Sequence, residues 1–126
     1  MTKKILVVDD SAWIRKMIRT HLVNWGYEVK EAEDGNQALE EMGNDNFDLV
    51  ICDVVMPQKD GWGVLSEMKS DPKTKDIPFI LLTSKNENSD MFQGYGLGAN
   101  YYMTKPFTKT QLLYALKLMF EKAPSE

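Results

Sequence analysis

The stretch ILVVDDS at residues 5–11 decides the fold, because four apolar residues run directly into two aspartates. An apolar run without polar alternation is typical of a parallel strand that is covered on both faces. From Ser11 to Trp25 the apolar residues recur instead at the spacing of one helical face. Gly26 then stands where a glycine commonly ends a helix. The segment therefore predicts a strand, a carboxylate-rich turn and a helix.

The same alternation continues along the chain. Further strands are predicted at 28–32, 49–52, 79–82 and 101–104. Helices are predicted from Ser11 to Trp25, after Gly35, around Trp62–Met68, from about Asn88 to Leu97 and around Leu112–Phe120. Five such units predict a parallel sheet with helices on both faces and right-handed crossovers. The most apolar strands belong at the centre, so we expect a flavodoxin-like, doubly wound α/β sheet in the order 2-1-3-4-5 with five helices.

Length, charge and composition narrow the possible functions. The chain has 126 residues, which fits one domain, and we expect residues 1–122 to form it and 123–126 to be a tail or the start of a linker. The formal net charge of -4 argues against direct binding to nucleic acid or to anionic membranes. A single Cys52 and a single His21 exclude an internal disulfide and a Cys/His zinc site. The lack of disulfides and of long apolar runs favours a cytoplasmic location.

Polar side chains stand at the carboxyl ends of four predicted strands. They are Asp9 and Asp10 after the first strand, Asp53 after the third, Thr83 after the fourth and Lys105 after the fifth. In an open parallel sheet these ends meet at one crevice, where ligands bind. Each residue alone has an ordinary explanation, such as a helix cap, a turn or a solvent-exposed lysine. Complementary groups at four strand ends predict a shared site instead.

The residue types indicate the chemistry of this site. Oxygen ligands without His or Cys select Mg²⁺, Mn²⁺ or Ca²⁺, and carboxylates that leave room for water suit Mg²⁺ in particular. A carboxylate can also act as a nucleophile and form an acyl phosphate. Thr83 and Lys105 can donate hydrogen bonds to phosphoryl oxygens. The pattern predicts Mg²⁺-assisted phosphoryl transfer onto an aspartate, with Mn²⁺ as an alternative cation.

Four separated motifs resemble the receiver, or response regulatory, domain of the two-component response regulators, and in particular its single-domain chemotaxis type. They are VVDDS at 7–11, Asp53 with Met56-Pro57 and Asp60-Gly61, LTS at 82–84, and Gly98-Ala99 leading to KPF at 105–107. The resemblance spans nearly the whole chain. It implies a signalling domain whose phosphoryl group comes from a sensor histidine kinase or a histidine phosphotransfer protein, and which catalyses only its own phosphorylation and dephosphorylation.

The resemblance also implies roles for the acidic residues. Asp53 is the expected phosphoacceptor. Asp10 and Asp53 are expected to bind Mg²⁺ directly, together with the backbone carbonyl of Val55, while Asp9 helps through water.

Further roles follow from the same resemblance. Thr83 is expected to hydrogen-bond the phosphoryl group, and Lys105 to pair with it, with a cis bond between Lys105 and Pro106. Tyr102 matches the family's switch aromatic, which turns inward when Thr83 moves toward the phosphate, although Tyr101 is a second candidate. The expected output surface consists of the fourth predicted helix, the fifth strand and the last helix, and it acts on an unidentified protein target.

Two positions are expected to modulate the hydrolysis of the acyl phosphate. They are Val55, two residues after Asp53, and Lys85, two residues after Thr83. An apolar side chain at Val55 cannot orient an attacking water, so we expect a long-lived acyl phosphate.

Three alternatives remain beside this interpretation. A phosphatase of the haloacid dehalogenase type needs a second acid two residues after its nucleophile, where this chain has Val55. A degenerate receiver that works only as an interaction module usually lacks one of the acidic, Thr or Lys positions, and all of them are present. The chain is otherwise consistent with the receiver portion of a larger regulator.

Overall fold

The computed structural model describes residues 2–56, 58–84 and 98–120. Within them, five parallel strands form one sheet in the predicted order β2-β1-β3-β4-β5. The strands are β1 (Lys4–Val8), β2 (Glu28–Ala32), β3 (Leu49–Asp53), β4 (Phe79–Thr83) and β5 (Tyr101–Thr104). The register pairs Asp53 with Leu82 and Thr83 with Thr104. The carboxyl ends of the strands therefore lie along one edge of the sheet.

Four helices accompany the strands in the described ranges. They are α1 (Ala12–Asn24), α2 (Gly35–Asn44), α3 (Gly61–Lys69) and α4 (Lys109–Phe120). Four is one fewer than the five predicted, because the helix expected at about 88–97 lies outside the described residues. Across the described part of the chain, no helix has both the length and the apolar character needed to cross a membrane.

Each of the four described helices follows a residue whose side chain caps it, and for α4 Thr108 Oγ1 accepts a hydrogen bond from Gln111 N at 3.0 Å. Ser11 Oγ accepts a hydrogen bond from Ile14 N at 3.2 Å at the start of α1. Asp34 and Asp60 do the same for α2 and α3, with oxygen–nitrogen distances of 2.8 and 2.9 Å. At the other end of α1, Gly26 has a φ of 96°, as predicted for a glycine that ends a helix. The two carboxylates that cap helices, Asp34 and Asp60, are therefore not among the acids predicted in the site.

The sheet is covered on both faces by apolar side chains. On one face α2 and α3 pack against the sheet, and on the other α1 and α4 do. β3 and β4 are buried along their whole length, whereas β2 alternates between exposed and buried residues, as expected for an outer strand. Trp13 on α1 does not contribute to either layer, because 72% of its surface is exposed.

The first residue of α3 lies directly against the end of β3. Gly61 N donates a hydrogen bond to Val54 O at 2.8 Å. A Cβ atom on Gly61 would overlap the carbonyl oxygen of Asp53 and lie 3.0 Å from Val54 Cα. Only glycine therefore allows α3 to begin this close to the backbone of Asp53.

We expect Gly61→Ala to lower the free energy of unfolding by about 1 to 3 kcal/mol, the usual result of overpacking against backbone that cannot move aside. Urea denaturation measures the effect. Gly43→Ala is the matched control, since it also lies in a helix but a Cβ there meets nothing within 4 Å. The control is expected to be neutral or to stabilise the fold by up to about 1 kcal/mol. Equal effects at the two positions would contradict the steric explanation.

Candidate functional site

Three carboxylates meet at the carboxyl ends of β1 and β3. Ligand oxygens of Asp9, Asp10 and Asp53 all lie within 4.8 Å of one another. Asp9 is fully buried and Asp53 is only 5% exposed, whereas Asp10 is exposed. The three acids predicted from the strand ends thus form one cluster, with Asp10 on its solvent side.

Lys105 supplies a positive charge to this cluster. It follows β5, and its Nζ donates a hydrogen bond to Asp9 Oδ2 at 3.0 Å and lies 3.4 Å from Asp53 Oδ1. Its backbone N donates a hydrogen bond to Thr83 O at 2.6 Å, and this bond fixes the start of the loop after β5 to the end of β4. The peptide bond between Lys105 and Pro106 is cis, as predicted. The lysine therefore bridges two acids on different strands.

Asp9 is held by hydrogen bonds on all four of its polar atoms. Its backbone N donates to Ala32 O at 3.1 Å, which extends the pairing with β2. Its Oδ1 accepts from Ser11 N at 2.9 Å and its Oδ2 from Lys105. Its carbonyl accepts from Arg15 Nη1 at 2.6 Å. A fully buried acid is tolerated here because every polar atom has a partner.

Burial and neighbouring charge make the ionised form of Asp53 unfavourable. Burial raises the pKa of Asp53 to about 6, and the negative charge of Asp9 acts in the same direction. Lys105 and the hydrogen bond from Val54 N to Asp53 Oδ1 at 2.9 Å oppose the rise without cancelling it. For Lys105 itself burial lowers the pKa, but its contacts with Asp9 and Asp53 outweigh burial and leave the pKa raised.

The donor set of this pocket fits a hard divalent cation. The three clustered side chains all offer carboxylate oxygens, and three carboxylates against one ammonium leave two negative charges uncompensated when all are ionised. Burial is the larger cause of the raised pKa of Asp53, and the negative charge of Asp9 adds to the rise. Oxygen ligands and a partly open pocket suit Mg²⁺ or Mn²⁺.

The remaining predicted site residues differ in their burial and in their place on the sheet. Thr83 ends β4 and is buried, with 3% of its surface exposed. Val55 follows β3 and turns 68% of its surface to solvent. Tyr102 is buried on the face of the sheet that α2 and α3 cover, and Tyr101 is half-buried on the opposite face. Lys85 lies outside the described residues.

Known proteins resemble this chain in sequence. The response regulator receiver domain family matches residues 5–117. The chain is 44% identical over 110 residues to a probable transcriptional regulator ycf27 of Cyanophora paradoxa, covering 87% of this chain and 45% of that protein. It is 36% identical over 120 residues to the transcriptional regulatory protein ResD of Bacillus subtilis, covering 95% of this chain and 49% of ResD. The chain thus spans about half the length of these relatives.

A solved structure shows the same architecture. The chemotaxis protein CheY4 of Vibrio cholerae superposes with a TM-score of 0.91 at 33% sequence identity, covering 95% of this chain and 100% of that one. The similarity therefore extends over the sheet and the strand ends that carry the acidic cluster.

We expect Asp53→Asn to stabilise the fold at pH 7 in buffer without divalent cations. Because the folded-state pKa of about 6 lies above the ordinary value of 3.8, the stability that the protonated carboxyl contributes is present below about pH 4 and is lost as the pH rises through 6. The asparagine variant should therefore gain about 1 to 2 kcal/mol over the parent at pH 7 and little at pH 4. Urea denaturation at both pH values measures this difference.

Asp76→Asn is the control for this experiment, since it removes an exposed carboxylate that precedes the amino end of β4, at the opposite edge of the sheet from the cluster. It should show no comparable rise in stability between the two pH values. A gain at Asp53 that does not depend on pH, or a loss at pH 7, would contradict the electrostatic account.

Proposed function

The chain belongs to the response regulator receiver domain family, and from this premise we propose that it is a phosphorylation-controlled switch with Asp53 as its phosphoacceptor. Receiver domains are signalling domains of two-component systems. These domains interact with histidine kinases and bind Mg²⁺ at an acidic pocket. The observation that carries the proposal is the position of Asp53, at the end of a central strand and within reach of Lys105 and two further carboxylates.

Asp53 supplies the nucleophilic oxygen in the proposed reaction. At pH 7 it is mostly ionised, because its pKa is about 6. The hydrogen bond from Val54 N and the contact with Lys105 both fall on Oδ1, which favours Oδ2 as the attacking atom. A phosphohistidine of a sensor kinase or phosphotransfer protein is the proposed donor. The new O–P bond forms as the N–P bond breaks, and the imidazole leaves with the electron pair and takes up a proton.

Asp10, Asp53 and the backbone carbonyl of Val55 are the proposed direct ligands of Mg²⁺. Both carboxylate oxygens of Asp9 already accept hydrogen bonds, which supports the water-mediated role proposed for Asp9. When bound there, Mg²⁺ would neutralise negative charge on the phosphoryl oxygens. Lys105 adds a second positive charge from the side of β5. Its ammonium lies close enough to Asp53 to contact a phosphoryl group on that residue.

The proposed switch runs through β4 and β5. Thr83, at the end of β4, is the residue whose hydroxyl we propose bonds the phosphoryl group. The strand register places Tyr102 of β5 beside Leu81, two residues before Thr83. The proposed output surface comprises the fourth predicted helix, β5 and α4, of which the first lies outside the described residues. On α4, Tyr114 and Leu118 are exposed apolar residues, which supports a protein target.

Two settings for this switch differ in what the signal controls. The curated relatives are named as transcriptional regulators and are about twice as long as this chain, which favours a receiver portion that acts on a further domain. CheY4 is named as a chemotaxis protein and is covered completely, which favours a receiver that acts on a separate protein. In either setting the net charge of -4 favours protein over nucleic acid as the direct partner of these residues.

Incubation with Mg²⁺ and acetyl phosphate tests the proposed acceptor. Intact-mass measurement should show the gain of one phosphoryl group in the parent and none in Asp53→Asn. Asp76→Asn, which changes a distant exposed carboxylate, should be phosphorylated like the parent. A parent that is stabilised by Mg²⁺ yet gains no phosphoryl group from acetyl phosphate or a kinase donor would contradict the proposal.

The exposed apolar side chain of Val55 is the basis of a second expectation. Since it offers no polar atom to orient an attacking water, the acyl phosphate should persist for minutes or longer in Mg²⁺. Val55→Asn should shorten its half-life by roughly tenfold, less than full general-base catalysis provides. Val55→Ala, which removes bulk without adding an amide, is the control and should keep a long half-life. Loss of the phosphoryl group from the parent within seconds would contradict this expectation.

A further inference from the structure

We propose that Arg15 is a positioning residue for the metal pocket, where it fixes the peptide that joins Asp9 to Asp10. The inference rests on the proposed function, since it concerns the same acidic cluster. Arg15 lies in the first turn of α1, and its guanidinium makes two separate contacts. Its Nη1 donates to Asp9 O at 2.6 Å, and its Nε donates to Glu31 Oε1 at 2.9 Å. The side chain therefore connects the end of β2 to the turn after β1.

The carbonyl of Asp9 depends on this contact because regular structure does not reach it. β1 ends at Val8, and the first described helical hydrogen bond of α1 runs from Arg15 N to Ser11 O. Asp9 O lies between these two elements and belongs to a fully buried residue, where a carbonyl needs a donor. Arg15 provides that donor.

The held carbonyl belongs to the peptide plane that carries the backbone N of Asp10. Its orientation therefore sets the direction in which the Asp10 side chain leaves the backbone. Asp10 is the exposed member of the cluster and a proposed direct ligand of Mg²⁺. A freed peptide would let Asp10 turn toward solvent, because its side chain is not packed in the core. Arg15 thus acts on the metal through the backbone and not by touching it.

The charge of Arg15 and its hydrogen bond to the Asp9 carbonyl predict opposite effects on the binding of Mg²⁺. This difference makes the inference testable. A guanidinium is positively charged at every relevant pH, so it repels a nearby cation. If charge were all that mattered, Arg15→Ala would strengthen the binding of Mg²⁺. If Arg15 positions Asp10, the same substitution weakens binding.

Arg19 provides a matched control on the same helix. Its Nη1 donates to the other oxygen of Glu31 at 3.1 Å, and it too carries one positive charge. Arg19→Ala removes the same charge and a contact with the same carboxylate. The contact with Asp9 O, however, is made by Arg15.

The experiment is urea denaturation of the full chain at several MgCl₂ concentrations. The rise in unfolding free energy with cation concentration gives the dissociation constant for Mg²⁺, whatever the stability of each variant without the cation. We expect Arg15→Ala to raise this constant about tenfold, as substitutions of partners that orient metal ligands do. Arg19→Ala should stay within about twofold of the parent. Unchanged or tighter binding by Arg15→Ala would overturn the inference.

Arg15→Lys decides the matter if the alanine variant does not fold. It keeps the charge, but one ammonium cannot reproduce the two separate contacts of the guanidinium fork. We expect weaker binding than in the parent, and an unchanged constant would overturn the inference. A parent that MgCl₂ does not stabilise would overturn the proposed function as well. A stabilised parent with unaffected Arg15 variants would overturn only the role of Arg15.

Discussion

The repulsion among three carboxylates held within 4.8 Å of one another is the constraint on which this site depends. Two of these acids are buried, so water screens them poorly, and one ammonium cannot balance them. The parallel sheet keeps them together because its strands end at one edge. The apolar core fixes the positions of β1 and β3, and it thereby holds the acids at their ends close together despite their repulsion. The same excess charge would be reduced by a divalent cation, which this cluster of oxygen ligands could hold.

The buried acids differ in how they are satisfied, and this difference separates their roles. Every polar atom of Asp9 accepts or donates a hydrogen bond, so Asp9 behaves as part of the framework. In Asp53 the described contacts concentrate on one oxygen, and its pKa is raised to about 6. A carboxylate that is poorly stabilised as an anion gains most from a cation and from bond formation at its other oxygen. Asp53 is therefore better suited than Asp9 to chemistry.

Much of this arrangement could be predicted from the sequence because it follows from periodicity and topology. The apolar runs indicated the strands, and their lack of alternation indicated the central ones. The position of Asp53 at a strand end then located it in the site, whereas Asp34 and Asp60 precede helices and cap them. Two features escaped prediction. Arg15 reaches Asp9 through a long side chain, and Trp13 is exposed although its residue type favours burial. Neither the contact of Arg15 with Asp9 nor the exposure of Trp13 is encoded in the spacing of apolar and polar residues.

The edge position of β5 offers a route by which we propose that a change in the pocket reaches the surface. In the sheet formed by the described residues, β1, β3 and β4 have strands on both sides, whereas β5 pairs with β4 alone. The backbone of Lys105 is bonded to Thr83, and its ammonium to Asp9, so the end of β5 is connected to the pocket at two points. A phosphoryl group would add roughly 1.5 to 2 negative charges beside that ammonium. The central strands are fixed by burial on both faces, so we propose that the outer strand and the helices beside it adjust to the new charge.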